Sequence, residues 1–221
     1  MERPLVIMLG HQAMVGKDTL GEFLVQKDGF VRFGFADKLK SVVADLYGFS
    51  KEQMYAEQKN VPDERYIKRT MRMALGPHRH TYYTPREVLQ DFGQEQRERF
   101  QDIWADYVFR QIQNSTNLKF VITDFRFPNE YTKALDYVEA NGWDLRTVKI
   151  TRPESERGSF AGSSDISEIA LNNFQFDYEL LNTTNRGKED LYNRFNNIVM
   201  QKAPTQTVTF DFGAFIKGEL S

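Results

Sequence analysis

Short runs of apolar residues alternate along this chain with stretches in which apolar residues recur every three or four positions. The runs have the length of strands, and the stretches are typical of amphipathic helices. Predicted strands lie at residues 5–9, 30–35, 118–123, 145–151 and 178–182, and predicted helices at about 16–28, 36–47, 131–140 and 188–200. This alternation predicts an α/β fold in three layers, with a central, mainly parallel sheet and flanking helices.

A different pattern occupies the middle of the chain. Residues 50–83 are polar and irregular, and cations recur there at helical spacing: Arg65, Lys68, Arg69 and Arg72. These four share one face of a predicted helix, which is either a solvated charged face or a surface for a phosphate group. On the second interpretation, Arg69 is a candidate for binding the phosphate of a substrate.

Two helices are predicted after this basic segment. The first begins at Thr84, with Pro85 at its first position and Glu87 at its third, which is the pattern of a capping box. The second runs from about Glu95 to Gln113.

Helical spacing also predicts which side chains are buried. We expect Leu46, in the helix at 36–47, and Phe100, in the second of the two later helices, to face the core. Trp104 lies on the same side as Phe100. Because an indole ring both packs and stacks, Trp104 belongs either to the core or to a nucleobase pocket.

The loop after the first strand carries the most specific chemical signal. It opens at Gly10 and closes on GKDT at residues 16–19, which resembles the phosphate loop GxxxxGK[ST]. Five residues rather than four separate the two glycines, and Asp18 stands where the hydroxyl residue is usual. Backbone N–H groups of such a loop and the start of its helix attract phosphate. The alternative is a plain strand–turn–helix corner.

A second signal follows the third predicted strand. Asp124 ends that strand, where P-loop proteins hold an acid that organises Mg²⁺, although a carboxylate there can also cap the next helix. Arg126 is two residues further on. Its guanidinium suits bidentate contact with a phosphate, and the alternative is a surface ion pair.

Composition limits the remaining classes. The 221 residues include 29 basic and 31 acidic side chains and no cysteine. Disulfides and thiolate metal sites are therefore excluded, and this charge balance predicts no stable binding to nucleic acid. The sequence has no long apolar run and no segment typical of a signal peptide, so we expect a cytoplasmic protein that does not enter a membrane.

Several segments together resemble the phage-type deoxynucleoside monophosphate kinases. They are GKDT at 16–19, FADKLK at 35–40, LQ at 89–90 followed by Gly93, Glu95 and Trp104, DFRFPNE at 124–130, and SE at 167–168 ahead of Asp177, Tyr178 and Asn182. The most distinctive of them is DFRFPNE, and the resemblance covers most of residues 5–185. The family usually has an arginine three residues beyond the glutamate of its Gly-Thr-Glu; here Glu98 holds that position, between Arg97 and Arg99.

This resemblance implies a P-loop kinase that moves the γ-phosphoryl group of ATP to a dNMP with Mg²⁺, in the host cytoplasm if the gene is a phage gene. The donor side would comprise Gly10, Val15, Gly16, Lys17, Asp18 and Thr19. The acceptor side would comprise Lys38, Gln90, Trp104, Arg126 and Glu130, together with Arg69. Lys17, Asp124 and Arg126 would be catalytic, and Asp18 and Asp124 would hold the metal. We expect one domain over residues 1–221, with an acceptor-binding insertion at about 50–115.

Phosphoryl transfer also needs arginines around a spread negative charge. Besides Arg126, the candidates are Arg152 as a catalytic residue and Arg157 as an ATP-binding residue. Both lie in a lid-like loop predicted at 152–166, where solvated arginines are the alternative. Other hypotheses are a kinase for another small acceptor, such as dephospho-coenzyme A, and a non-catalytic nucleotide-binding module. The sequence leaves open whether the protein is a homodimer.

Overall fold

The computed structural model describes residues 3–55, 57–68, 81–157, 166–183 and 186–201. Contacts divide the chain into two compact units. The sheet unit comprises the described residues of Met1–Arg32, Leu118–Pro128 and Gly142–Ser221, and the helical unit those of Phe33–Asn117 and Asn129–Asn141. The predicted insertion at 50–115 falls within the helical unit. Within the described ranges, no helix is long and apolar enough to cross a membrane.

The sheet has five strands in the order β2-β3-β1-β4-β5. They are β1 (Leu5–Gly10), β2 (Val31–Phe33), β3 (Lys119–Phe125), β4 (Asp144–Thr151) and β5 (Tyr178–Leu181). The central strand β1 is parallel to both β3 and β4, and β4 is parallel to β5. The predicted α/β fold with a mainly parallel sheet is confirmed. Because these strands are parallel, the segments that follow β1 and β3 leave the same edge of the sheet.

Helices of the sheet unit are α1 (Lys17–Asp28), α7 (Ile166–Ile169) and α8 (Lys188–Phe195), and α8 continues into a π-helical turn at Asn196–Met200. Side chains from α1, α8 and one sheet face form a core that includes Ile7, Leu9, Leu20, Leu24, Val121, Val148, Leu191 and Phe195. The alternate strand residues Val6, Met8, Phe120 and Ile122 are also fully buried. A strand buried on both faces explains why β1 and β3 are continuous apolar runs.

The helical unit contains α2 (Phe35–Tyr47), α3 (Lys51–Tyr55), a 3₁₀ turn at Glu57–Asn60, α4 (Pro85–Arg99) and α5 (Ile103–Gln113), together with most of α6 (Pro128–Asn141). One of its cores is built from Leu39, Val43, Phe49, Met54, Val88 and Trp104. The predicted capping box of α4 is confirmed, because Thr84 accepts from the Glu87 N–H while the Glu87 carboxylate accepts from the Thr84 N–H.

Two expectations about helix packing were wrong. The predicted helix at 95–113 begins only at Ile103, because α4 runs on to Arg99 and the chain is extended at Phe100. Phe100 is consequently 67% exposed rather than buried. Leu46 is also exposed, since it lies in the last turn of α2 and outside the core formed by Leu39 and Val43.

The helix predicted through the basic segment is also wrong where the structure describes it. The Lys68 N–H donates to the Thr81 carbonyl and the Tyr83 N–H to the Tyr66 carbonyl, both at 2.8 Å. This antiparallel pairing around Ile67 and Tyr82 satisfies main-chain groups that a helix would have paired locally. Arg69 and Arg72 lie outside the described residues, as do most of the predicted lid-like loop, residues 158–165, and the tail beyond residue 201.

Replacing Thr84 by Ala tests the capping box. The change removes the acceptor for the Glu87 N–H, so the free energy of unfolding should fall by about 1 kcal/mol. Urea unfolding measures this loss, and Thr84→Ser, which keeps the hydroxyl, is the matched control. Equal stability of the Ala and Ser variants would contradict the role assigned to the cap.

Candidate functional site: the phosphate loop and its surroundings

The phosphate loop leaves β1 at Gly10, which lies opposite Phe125 of β3. A Cβ atom at Gly10 would be 2.6 Å from the Phe176 ring and 2.8 Å from the Phe125 ring. Any larger residue would have to displace aromatic side chains that also pack on Phe174. The glycine is therefore required by close packing at the point where the loop begins.

Left-handed backbone turns give the loop its shape. His11 has a φ of 85°, Met14 of 59° and Gly16 of 105°. Such values are uncommon for residues other than glycine. Five residues separate Gly10 from Gly16, and two of them, His11 and Met14, have a left-handed backbone. These two turns accommodate the longer spacing.

Asn182 anchors the loop from the end of β5. Its buried amide Nδ2 donates to the Val15 carbonyl at 2.8 Å, and its own N–H donates to the Thr151 carbonyl. A Cβ atom at Gly16 would lie 2.4 Å from Nδ2, which gives a second reason for glycine there. The Val15 side chain is fully buried, so a contact with ATP from Val15 would have to come from its backbone.

Lys17 directs its ammonium group back across the loop. The side chain is only 6% exposed, and Nζ donates to the carbonyls of His11, at 3.2 Å, and Gln12. Lys17 is also the first residue of α1, where helical N–H groups lack partners within the helix. Thr19 is half-buried in the same first turn. A cation and the start of a helix together form a site suited to an anionic ligand.

The two candidate metal-binding carboxylates have different surroundings. Asp124 is half-buried and directly precedes Phe125, the residue opposite Gly10. The Asp18 side chain is 79% exposed and lies 3.8 Å from Arg32. Among the described residues, His, Asp and Glu form no group of three that could hold a metal by themselves. Mg²⁺ needs only one or two carboxylates when phosphates and waters complete its shell, so the position of Asp124 fits it.

Three predicted arginines lie in the sheet unit with the loop. Arg152 donates to the Met14 carbonyl at 3.3 Å and so contacts the loop directly. Arg126 is half-buried and donates to the Ser167 hydroxyl at 3.0 Å. Arg157 is buried, 3.7 Å from Glu154, and its Nε has no hydrogen-bond partner in the described structure. Arg157 is therefore not a solvated loop arginine, which was the alternative to a role in binding ATP.

His11 is a loop residue that no sequence argument singled out. Burial lowers the pKa of its imidazole, and the charges of Lys149, Lys17 and Arg157 act in the same direction. The hydrogen bond between its Nε2 and Asn172 Oδ1, at 3.2 Å, opposes this shift. The imidazole is therefore neutral at neutral pH, and the positive charge near the loop comes from lysine and arginine.

Trp104 lies in the core of the helical unit. It is 9% exposed, and its indole N–H points to the Gly93 carbonyl at 3.5 Å. This position agrees with the core alternative. Of the other predicted acceptor residues, Gln90 is exposed and Lys38 lies 5.7 Å from the centre of the Tyr107 ring.

Arg97 and Glu130 lie in the same unit as Trp104. Glu130 is buried, whereas Arg97 is half-buried and Arg99 is exposed. Burial lowers the pKa of Arg97, and the negative charge of Glu130 opposes that effect. The interaction distinguishes Arg97 from Arg99, which the sequence could not do. Arg69, the remaining predicted acceptor residue, is outside the described residues.

Comparisons with known proteins agree with the sequence resemblance. No family model matches the chain. It is 28% identical over 191 residues to a protein of Acanthamoeba polyphaga mimivirus named "Putative deoxynucleotide monophosphate kinase". The matched region covers 83% of this chain and 90% of that protein. The relative and the phosphate-loop fold together support an ATP-dependent phosphotransferase. The predicted class, P-loop nucleotide kinase, is confirmed at this level.

Two solved structures are also similar. One is the APS kinase of Mycobacterium tuberculosis in complex with AMPPNP and APS, at 9% identity and a TM-score of 0.47, covering 91% of this chain and all of that one. The other is the shikimate kinase of Aquifex aeolicus, at 14% identity and a TM-score of 0.44, covering 88% and 96%. At these scores neither structure bears on the site.

The surroundings of His11 predict how its imidazole titrates. NMR should give a midpoint below 6.5, the ordinary value for His, because burial opposes the charged form. The sequence contains three histidines, and loss of one signal in His11→Asn identifies the resonance. A midpoint at or above 6.5 would contradict the burial of this ring.

The same shift predicts an effect on stability. When the folded pKa lies below the unfolded one, the unfolded chain binds more protons between the two values, so stability falls as the pH drops below 6.5. His11→Asn should weaken this fall in urea unfolding at pH 7.5 and pH 5.5. An unchanged difference between the two pH values would show that other groups cause it.

Proposed function

We propose that the chain is a deoxynucleoside monophosphate kinase, which transfers the γ-phosphoryl group of ATP to a dNMP and gives dNDP and ADP. The observation that carries this proposal is the loop from Gly10 to Thr19, with the Lys17 ammonium lying across it. The mimivirus relative supports the choice of a dNMP as acceptor. Arg126 supports a second phosphate site, because it follows β3, whose carboxyl end lies at the same sheet edge as the loop.

The proposed mechanism requires no general base. The acceptor phosphate is already an anionic nucleophile, so catalysis consists mainly of in-line positioning and neutralisation of charge. Backbone N–H groups of the loop and Lys17 bind the ATP phosphates. Arg126, oriented by Ser167, binds the acceptor phosphate. Arg152 and Arg157 add positive charge where the transferred group passes.

Mg²⁺ would be held by Asp124, through water, and by the ATP phosphates, and it would neutralise charge on the phosphates when bound. Asp18 would contribute less, because its carboxylate faces solvent and Arg32. The predicted lid at 152–166 would exclude water and so suppress hydrolysis of ATP. On the acceptor side, we assign the role of the family's arginine to Arg97 rather than to Arg99, with Glu130 as the partner of Arg97.

A coupled ADP-release assay with each dNMP tests the reaction. We expect ADP release that depends on a dNMP and on Mg²⁺. Turnover supported only by a non-nucleotide acceptor would favour another small-molecule kinase. Absence of turnover with every acceptor would favour the non-catalytic module. Either of these results, or ATP hydrolysis that no nucleotide stimulates, would overturn the proposal.

Replacing Arg126 by Ala tests the acceptor-phosphate role. Loss of a charge-assisted contact in the transition state should raise its free energy by about 2–4 kcal/mol, measured as a fall in kcat/KM. Ser167→Ala should cause a smaller fall, because it removes only an orienting hydrogen bond. Arg110→Ala, which removes an exposed arginine paired with Asp106 on α5, is the control and should leave kcat/KM unchanged. Near-wild-type activity in Arg126→Ala would refute the assignment.

Lys17→Ala tests the phosphate loop itself. The variant should lose phosphoryl transfer while circular dichroism shows a retained fold, since the lysine holds the transferring phosphates. Its affinity for ATP, followed by calorimetry, should fall as well. Retained transfer would mean that the loop does not bind the donor.

A further inference from the structure

A cavity of about 560 Å³ lies entirely within the helical unit. Four aromatic residues line it, Tyr47, Tyr66, Tyr83 and Phe92, together with the acidic residues Asp91 and Glu95 and with Arg65. Ligand sites commonly enclose roughly 300–1,000 Å³. The volume is therefore sufficient for a nucleoside, and the lining combines aromatic residues with acidic ones.

The aromatic wall is held in place by its own contacts. The Tyr66 hydroxyl donates to the Tyr47 carbonyl at 2.5 Å, and the two rings meet edge to face with centres 5.2 Å apart. Tyr47 also stacks on Phe49, at 5.7 Å and 7° between planes. Rings with few remaining degrees of freedom bind a flat ligand with little further loss of entropy.

The cation among the residues that line the cavity, Arg65, is paired with a carboxylate. The Arg65 guanidinium donates to both carboxylate oxygens of Asp63, at 2.9 and 2.7 Å, and to the Gly48 carbonyl at 3.2 Å. This contact holds the pKa of Asp63 well below its usual range. Arg65 therefore pairs with Asp63, and it forms no ion pair with Asp91 or Glu95 in the described structure.

Asp91 and Glu95 lie one turn apart on the same face of α4. Both are exposed, and the side chain of neither forms a hydrogen bond or ion pair with the described residues. An ionised carboxylate accepts hydrogen bonds and cannot donate them. The chemical complement of this cavity is therefore a flat, stackable ring with N–H donors on its edge.

Among nucleobases, guanine meets this requirement best. Its Watson–Crick edge presents N1–H and the 2-amino group side by side, so one carboxylate can accept both. Adenine and cytosine present a single amino group. Thymine places one N–H between two carbonyl oxygens, which a carboxylate repels. We propose that this cavity binds the base of the acceptor nucleotide and selects guanine through Asp91 and Glu95, an inference that rests on the proposed kinase function.

The test measures kcat/KM for dGMP, dAMP, dCMP and dTMP in the wild type and in two isosteric variants, Asp91→Asn and Glu95→Gln. The wild type should prefer dGMP over dTMP by about tenfold or more. At least one variant should lose about 5- to 100-fold for dGMP, the range of a good bidentate base contact, while dTMP changes less than about twofold. Glu98→Gln is the matched control, because Glu98 lies on the same helix, contacts Gln94 and does not line the cavity.

Calorimetric titration with dGMP and dTMP in the absence of ATP separates the two proposals. Selective binding of dGMP that Glu95→Gln or Asp91→Asn weakens, without turnover of any dNMP, would support the base site and overturn the kinase reaction. Turnover of dNMPs with a base preference that neither variant alters would leave the reaction standing and refute the base site. Equal losses for dGMP and dTMP, with thermal unfolding unchanged, would also refute it.

Discussion

A buried ammonium group is the constraint on which the rest of the site depends. Burying a charge is unfavourable unless polar groups surround it, and Lys17 meets this condition with the carbonyls of His11 and Gln12. The backbone of the same loop is left-handed at His11, Met14 and Gly16, which gives the loop its curvature. Hydrogen bonds from Asn182 and Arg152 to neighbouring loop carbonyls hold that curvature.

Local charge, rather than net charge, defines what the loop can bind. The whole chain has a formal charge of −2, yet lysine and arginine side chains from three segments of the sheet unit gather near the loop. His11 adds no charge to them at neutral pH, because burial lowers its pKa. This local concentration of cations suits an anionic ligand, and it is compatible with a protein that is acidic overall.

The residues that we propose for the donor and for the acceptor belong to different units of the chain. The phosphate loop and three candidate arginines belong to the sheet unit, whereas the cavity proposed for the base, Arg97 and Glu130 belong to the helical unit. The motif at residues 124–130 passes from one unit into the other after Pro128. A single short segment thus carries both Arg126, assigned to the acceptor phosphate, and Glu130, which interacts with Arg97.

Features that depend on local pattern can be predicted from the amino-acid sequence alone. Buried strands appear as apolar runs, the loop appears as GKDT after the first of them, and the cap of α4 appears as Thr84 with Glu87, because each depends on residues within a few positions. Contacts between side chains that are far apart in the sequence depend on the tertiary fold. Asn182 reaches the Val15 carbonyl across 167 positions, Trp104 packs in a core instead of remaining available as a stacking surface, and Phe100 is exposed where α4 ends. No local pattern encodes these outcomes, since burial and hydrogen bonding at each position are set by elements distant in the chain.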